Sequence, residues 1–208
     1  MKPQKGNLYL IAGLGNPGPQ YEHTRHNIGL AVVEQWGTLL GATLQNRRFR
    51  SKHALVDFRG NPIVLLCPLT FMNKSGESVR DCIHHYDLET TKLLVVHDDL
   101  DLPLGKIKVV RNGGAGGHKG VSSIIHLLGS SEFSRVKIGI DRPRHGEAVV
   151  DYVLSCFYDD EKKLAEDVIR MAVTASELFV LEGVQAAMNH INCRRLTIQG
   201  GRSDAGIN

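Results

Sequence analysis

The chain has 208 residues, a length that suits one α/β domain whose core needs neither disulfides nor metal to hold it. Hydrophobic residues make up 42% and charged residues 23%, which excludes a disordered chain, and no apolar run is long enough to span a bilayer. The net charge of +3 is too small to prove a nucleic-acid partner, but residues 103–145 carry eight cationic side chains against two carboxylates, a local basic region that fits either a polyanion contact or an ordinary solvated face.

Met1 to Asn7 is polar and lacks the apolar stretch of a secretory signal, so a cytoplasmic location is expected. Leu8–Ala12 is a short apolar run ending in glycine and reads as a buried strand. From about Thr24 to Leu40, Ile28, Val32, Trp36 and Leu39/Leu40 share one face of a predicted helix. Thr43–Arg50, His53–Phe58 and Pro62–Cys67 are strand candidates, with a tight turn at Gly60-Asn61 between the last two. A helix is predicted over Lys74–Tyr86, and Lys92–His97 is the strongest buried-strand candidate. Lys106–Val110 alternates and reads as an edge strand. A glycine-rich loop at 113–117 then leads into a helix through Ser123–Leu128, and Val136–Ile140 reads as another strand. Asp159 and Asp160 are expected to cap a long helix carrying Leu164, Val168, Met171, Ala175 and Leu178. Gly183 separates it from a last helix around Val184–Ile191. Residues 1–198 read as one domain, and 199–208 as a flexible tail. Strands alternating with helices after an early meander argue a single α/β domain with a mixed, twisted sheet flanked by helices.

Cys67, Cys82, Cys156 and Cys193 are widely spaced and form no CxxC pair, so reduced thiols are expected and a zinc or redox motif is not. Gly13-Leu14-Gly15-Asn16-Pro17-Gly18 matches the GxGxxG pattern of a dinucleotide fold. Pro17 and Pro19 argue against that reading, because they bracket the glycine that should open a helix and proline lacks the N–H a pyrophosphate needs. The loop's alternative task is to hold Asn16 at the end of the first strand. The second cluster, 113–120, is not a P-loop, since Lys119 is followed by glycine where Ser or Thr is required. His97, Asp98, Asp99 and Asp101 could suggest a metal site, but they lack an HxH or HExxH companion and no metal is expected. A GxSxG elbow is also missing, which disfavours a serine hydrolase.

Four collinear stretches carry a more specific signal: GLGNPGPQYEHTRHNIG (13–29), PLTFMNKSG (68–76), HDDLDLPLGKIKVVRNGGAGGHKG (97–120) and FSRVKIGIDRP (133–143). Together they resemble the bacterial-type peptidyl-tRNA hydrolase, over nearly the whole chain. The resemblance implies a monomer without metal or cofactor that cleaves the ester between a peptide and the terminal adenosine of tRNA. It places the catalytic histidine at His26 and its carboxylate partner at Asp98. It makes Asn16, Asn73, Met72, Tyr21 and His118 substrate-binding residues, and it assigns tRNA phosphates to Lys137, Arg135 and Arg111. Lys119 departs from the pattern, since the family often has asparagine there. A lysine has no acceptor and adds a charge that suits a phosphate or the ribose.

These residue types fit ester hydrolysis. An imidazole can take a proton from water and pass it to the leaving hydroxyl, and a carboxylate on its other nitrogen fixes the tautomer. Amides such as Asn16 and Asn73 can stabilise the oxyanion that develops on the carbonyl. The competing readings are a hydrolase of related N-blocked aminoacyl-tRNAs, a tRNA-binding protein with lost activity, and a nucleotide-binding oxidoreductase.

Overall fold

The first apolar run forms β1 (Tyr9–Gly13), which lies inside the sheet and is covered on both faces, as an apolar central strand must be. It belongs to a computed structural model that describes residues 7–45 and 47–197. The other strands are β2 (Ser51–Phe58), β3 (Asn61–Pro68), β4 (Leu93–Asp99), β5 (Ile107–Val110) and β6 (Ser134–Gly139). Their order is β2-β3-β1-β4-β6-β5. The four inner strands are parallel, while β2 and β5 pair antiparallel at the edges. This is the mixed, helix-flanked sheet expected from the alternation of elements.

The helices are α1 (Ile28–Leu39), α2 (Ser75–Tyr86), α3 (Lys119–Leu128), α4 (Val149–Val153), α5 (Lys162–Glu182) and α6 (Val184–Ile191). Alternation along β1 divides the core into two layers. Leu10 and Ala12 pack with Val79 of α2 and Ile124 of α3, whereas Ile11 packs with Trp36 of α1 and Val168 of α5. Among the described residues no helix is long and apolar enough to cross a membrane.

Three expectations are corrected, and one helix was not expected. The described residues of Thr43–Arg50 form no strand: 48–50 is a 3-10 turn in which Phe49 and Arg50 have φ of 58° and 50°, a left-handed geometry no strand tolerates. The β2–β3 turn falls at Arg59-Gly60, one residue earlier than read, because both residues take positive φ, 52° and 82°, as a two-residue hairpin turn demands. Asp159 and Asp160 do not cap α5: Glu161 stands at that position, and Asp159 pairs with Lys162 at 2.7 Å. α4 was not read at all, since five residues are too few to show helical periodicity. The tail expected at 199–208 lies outside the described residues.

From β1 the chain moves to one side of the sheet, to β2 and β3, and from β4 it moves to the other, to β5 and β6. The carboxyl ends of β1 and β4 therefore border a topological switch point, where open α/β sheets form a crevice.

Candidate active site

Two glycines bring the start of α1 onto these strand ends. A Cβ on Gly13 would run into the carbonyl of Gly29, and one on Gly29 into the carbonyl of Val96 on β4. With both absent, Leu14 N–H donates to Val96 O at 3.0 Å and Leu30 N–H to Leu14 O at 3.0 Å. The loop after β1 stays irregular, and the next long helix begins only at Ile28. No helix N-terminus therefore stands where a pyrophosphate would need one, in line with the reading of Pro17 and Pro19.

The loop is latched to the turn before α1. Asn16 N–H donates to Asn27 Oδ1 at 2.8 Å, and Asn27 Nδ2 donates back to Asn16 O at 3.0 Å. The Asn16 side chain reaches the second motif stretch: its Oδ1 accepts the Met72 N–H at 2.8 Å. That bond fixes the amide orientation and leaves the NH2 as its remaining donor.

At the centre, His26 Nδ1 lies 2.9 Å and 3.0 Å from the two oxygens of Asp98 at the end of β4. His118 closes the group from the other side, with Nε2 at 2.9 Å from Asp98 Oδ1. The tautomers follow from the partners. His118 Nδ1 accepts the N–H groups of Gly120 and Val121, each at 3.2 Å, so its proton is on Nε2 and is donated to Asp98. His26 likewise donates Nδ1–H to the carboxylate, which leaves Nε2 as its basic nitrogen. Burial pushes the Asp98 carboxyl up, but His118 and then His26, which both donate to it, outweigh that effect and hold it well below the usual carboxylate range. His97, one residue earlier on β4, turns toward α3: its ring centroid is 4.6 Å from that of His118, and its Nδ1–H donates to the Asp98 carbonyl at 2.7 Å. Burial, then the neighbouring His118, push its pKa well down.

The ring nitrogens of His26 and His118 and a carboxylate oxygen of Asp98 are close enough to surround a cation. The hydrogen-bond pattern does not suit one, because His118 Nε2 carries a proton while Nδ1 is engaged by two backbone donors. The three side chains form a hydrogen-bonded chain with Asp98 as the common acceptor.

These groups open on a cavity of about 720 Å³, to which Asn16, His26, Met72, Asn73, Asp98, His118 and Lys119 all contribute. Exposed apolar side chains flank it: Phe71 beside Met72, and Val149 and Val150 of α4. Sequence reading missed this apolar rim, and the only signal for it was apolar residues in segments otherwise polar. It also missed His97 as a lining residue and the role of His118 as a partner of Asp98.

The remaining candidates lie elsewhere. Tyr21 sits in a 3-10 turn and does not line the cavity. Arg135 is not on the surface: it is 3% exposed, and its guanidinium donates to Gly114 O at 2.7 Å, holding the glycine loop. β6 is an inner strand buried on both faces, and the guanidinium is tucked under the glycine loop, whereas the resemblance gave it a phosphate contact. Lys137 is partly exposed and ion-paired with Asp99, next to Asp98, while Arg111 is exposed.

Residues 10–199 match the family model described as peptidyl-tRNA hydrolase. The chain belongs to the peptidyl-tRNA hydrolase family. It is 42% identical to the peptidyl-tRNA hydrolase of Bacillus subtilis over 187 residues, covering 90% of this chain and all of that one. It is 44% identical to that of Carboxydothermus hydrogenoformans, covering 89% and 98%. The crystal structure of peptidyl-tRNA hydrolase from Acinetobacter baumannii superposes with a TM-score of 0.86 at 36% identity, covering 93% of this chain and 98% of that one. The family match spans all four motif stretches.

Proposed function

We propose that this chain hydrolyses the ester between a peptide, or an N-blocked amino acid, and the terminal ribose of tRNA. The observation that carries this reading is the His26–Asp98 pair facing the cavity beside Asn16 and Asn73. Nε2 of His26 takes a proton from water as the water oxygen bonds to the ester carbonyl carbon. Asp98 stabilises the imidazolium, and the amide donors of Asn16 and Asn73 stabilise the oxyanion. Collapse breaks the carbon–oxygen bond to the ribose, and the proton on Nε2 passes to the leaving hydroxyl. Such general-base action supplies about 10²–10⁴-fold.

Lys119 at the cavity, with Lys137 and Arg111 beyond it, supplies positive charge for the ribose and acceptor-stem phosphates. The enzyme acts as a monomer in the cytoplasm, without metal or cofactor, returning tRNA from peptidyl-tRNA released before translation ends. The test is ester release from an N-acetylated aminoacyl-tRNA. The wild-type chain should turn over in the presence of EDTA, and His26→Ala should lose nearly all turnover while tRNA binding persists. A chain that binds tRNA without releasing the ester would instead be a binding protein.

A further inference from the structure

We infer that Arg25 is a positioning residue for His26: its buried pair with Glu161 ties the turn carrying the imidazole to the segment that walls the cavity through α4. The inference rests on the reading of His26 as the base.

Arg25 and Glu161 are both fully buried, with Nη2 and Oε2 2.6 Å apart. The same guanidinium donates from Nη1 to Ser155 Oγ at 2.8 Å and to the Cys156 carbonyl. It lies over the rings of Tyr152, 4.3 Å to the centroid, and Tyr158, 4.5 Å. The backbone follows the same route: Arg25 N–H donates to Ser155 O at 3.0 Å, and Thr24 bridges Cys156. One side chain thus grips the segment 152–161, which begins in the last turn of α4 and contributes Val153 and Leu154 to the cavity wall.

His26 sits between two latched neighbours. Asn27 is bound to the loop after β1, and Arg25 to the segment around α4. The Nδ1 contact with Asp98 needs the imidazole placed within a few tenths of an ångström, and the exposed side of the turn offers nothing comparable to hold it. Burying two charges costs several kcal/mol per ion, and well-packed apolar residues in the same volume often stabilise as well or better. A stability role alone therefore explains this pair poorly. The planar fork of arginine, with donors in fixed directions, explains it as a geometric clamp.

The experiment uses the full chain with Arg25→Met combined with Glu161→Met, which removes both buried charges and leaves the exposed Arg144, 2.9 Å from Glu161 Oε1, to Asp141 and solvent, alongside Arg25→Lys, which keeps the charge but loses the fork. Turnover of N-acetylated aminoacyl-tRNA is measured well below each variant's unfolding midpoint, and the His26 ring is followed by ¹⁵N–¹H correlation spectra. The double variant is expected to fold, to lose about 10–100-fold in kcat, and to keep KM within about threefold. Its His26 signals should show a mixture of tautomers where the wild type shows Nδ1–H alone. Arg25→Lys should lose at least about tenfold in kcat, and it decides the matter if the double variant does not fold. A folded variant of either kind with wild-type kcat and an unchanged His26 spectrum overturns the inference. Activity surviving in His26→Ala would instead overturn the assignment of the base, and the spectra, which need no turnover, separate the two failures.

Discussion

His26 Nδ1 meets both oxygens of Asp98, at 2.9 Å and 3.0 Å, although 72 residues separate them in the chain. The contact exists because β4 ends at the crevice and the glycines at 13 and 29 let α1 begin directly above it. It makes a sharp forecast for Asp98→Asn. His118 must keep donating from Nε2, since its Nδ1 is held by two α3 N–H groups, so the amide oxygen stays on that side. The amide NH2 then replaces the oxygen 3.0 Å from His26 Nδ1, leaving only the amide oxygen that His26 shares with His118, so the Nδ1–H tautomer loses an acceptor and the imidazolium loses its counter-charge. Turnover should fall by about 10²–10⁴-fold with the fold intact. Steady-state kinetics beside a circular dichroism melt decide this, and a folded variant with turnover near wild type would refute the proposed pairing.

The depressed pKa of His97 makes a thermodynamic forecast. Burial, and then the neighbouring His118, hold it below its unfolded value of about 6.5. The unfolded chain then binds a proton that the folded chain refuses. The contribution of His97 to stability is therefore fully present above that pH and is lost as pH falls toward the folded pKa. The unfolding free energy should decline below about pH 6.5, His97 accounting for at most about 1.4 kcal/mol per pH unit. His97→Gln should flatten the slope between pH 6.5 and 5, measured by urea unfolding. Parallel slopes for the two proteins would show that the imidazole titrates freely.

The elements legible in the sequence were those whose apolar pattern is long or continuous. β4 reads as one apolar run because both faces are buried, and α6 begins and ends where Gly183 and the periodicity put it. Thr43–Arg50 failed because its path is set from outside: Arg50 reaches Asp81 at 2.7 Å, and the left-handed backbone at 49 and 50 aims it there. The site was half legible. Residue chemistry suggested an imidazole and a carboxylate, and the resemblance paired His26 with Asp98, but no local pattern brings such distant residues together. Arg135 shows the opposite limit: a cation in the basic stretch is buried because it lies on an inner strand and its guanidinium is held by the Gly114 carbonyl.

The basic region makes a forecast that separates its members. Lys137 is only partly buried, and its partner Asp99 lines the cavity, so a phosphate can replace that carboxylate. Lys137→Ala should weaken tRNA binding and reduce the slope of log K against log salt by about 0.7–0.9. Arg135→Met should leave that slope alone. It should instead cost about 1–3 kcal/mol of stability, because the Gly114 carbonyl loses its donor. Binding titrations at three salt concentrations separate the two. If the Lys137 variant keeps the wild-type slope, this lysine stays on Asp99 when tRNA is bound.

Gly29→Ala tests the close approach on which the site's geometry depends, because two effects of opposite sign compete there. Gly29 lies in the first turn of α1, and helix propensity alone favours alanine by about 1 kcal/mol. The new methyl, however, would run into the Val96 carbonyl, a backbone atom inside β4 that cannot swing aside as a flexible side chain would. Overpacking of this kind costs about 1–3 kcal/mol and at times more. The clash should win, giving a net loss in stability by urea unfolding. It should also lift the start of α1 off β4, strain the Leu30 N–H to Leu14 O bond and draw His26 away from Asp98, so kcat should fall even where the variant is fully folded. A more stable Gly29→Ala with wild-type kcat would mean that α1 can move without carrying the imidazole with it.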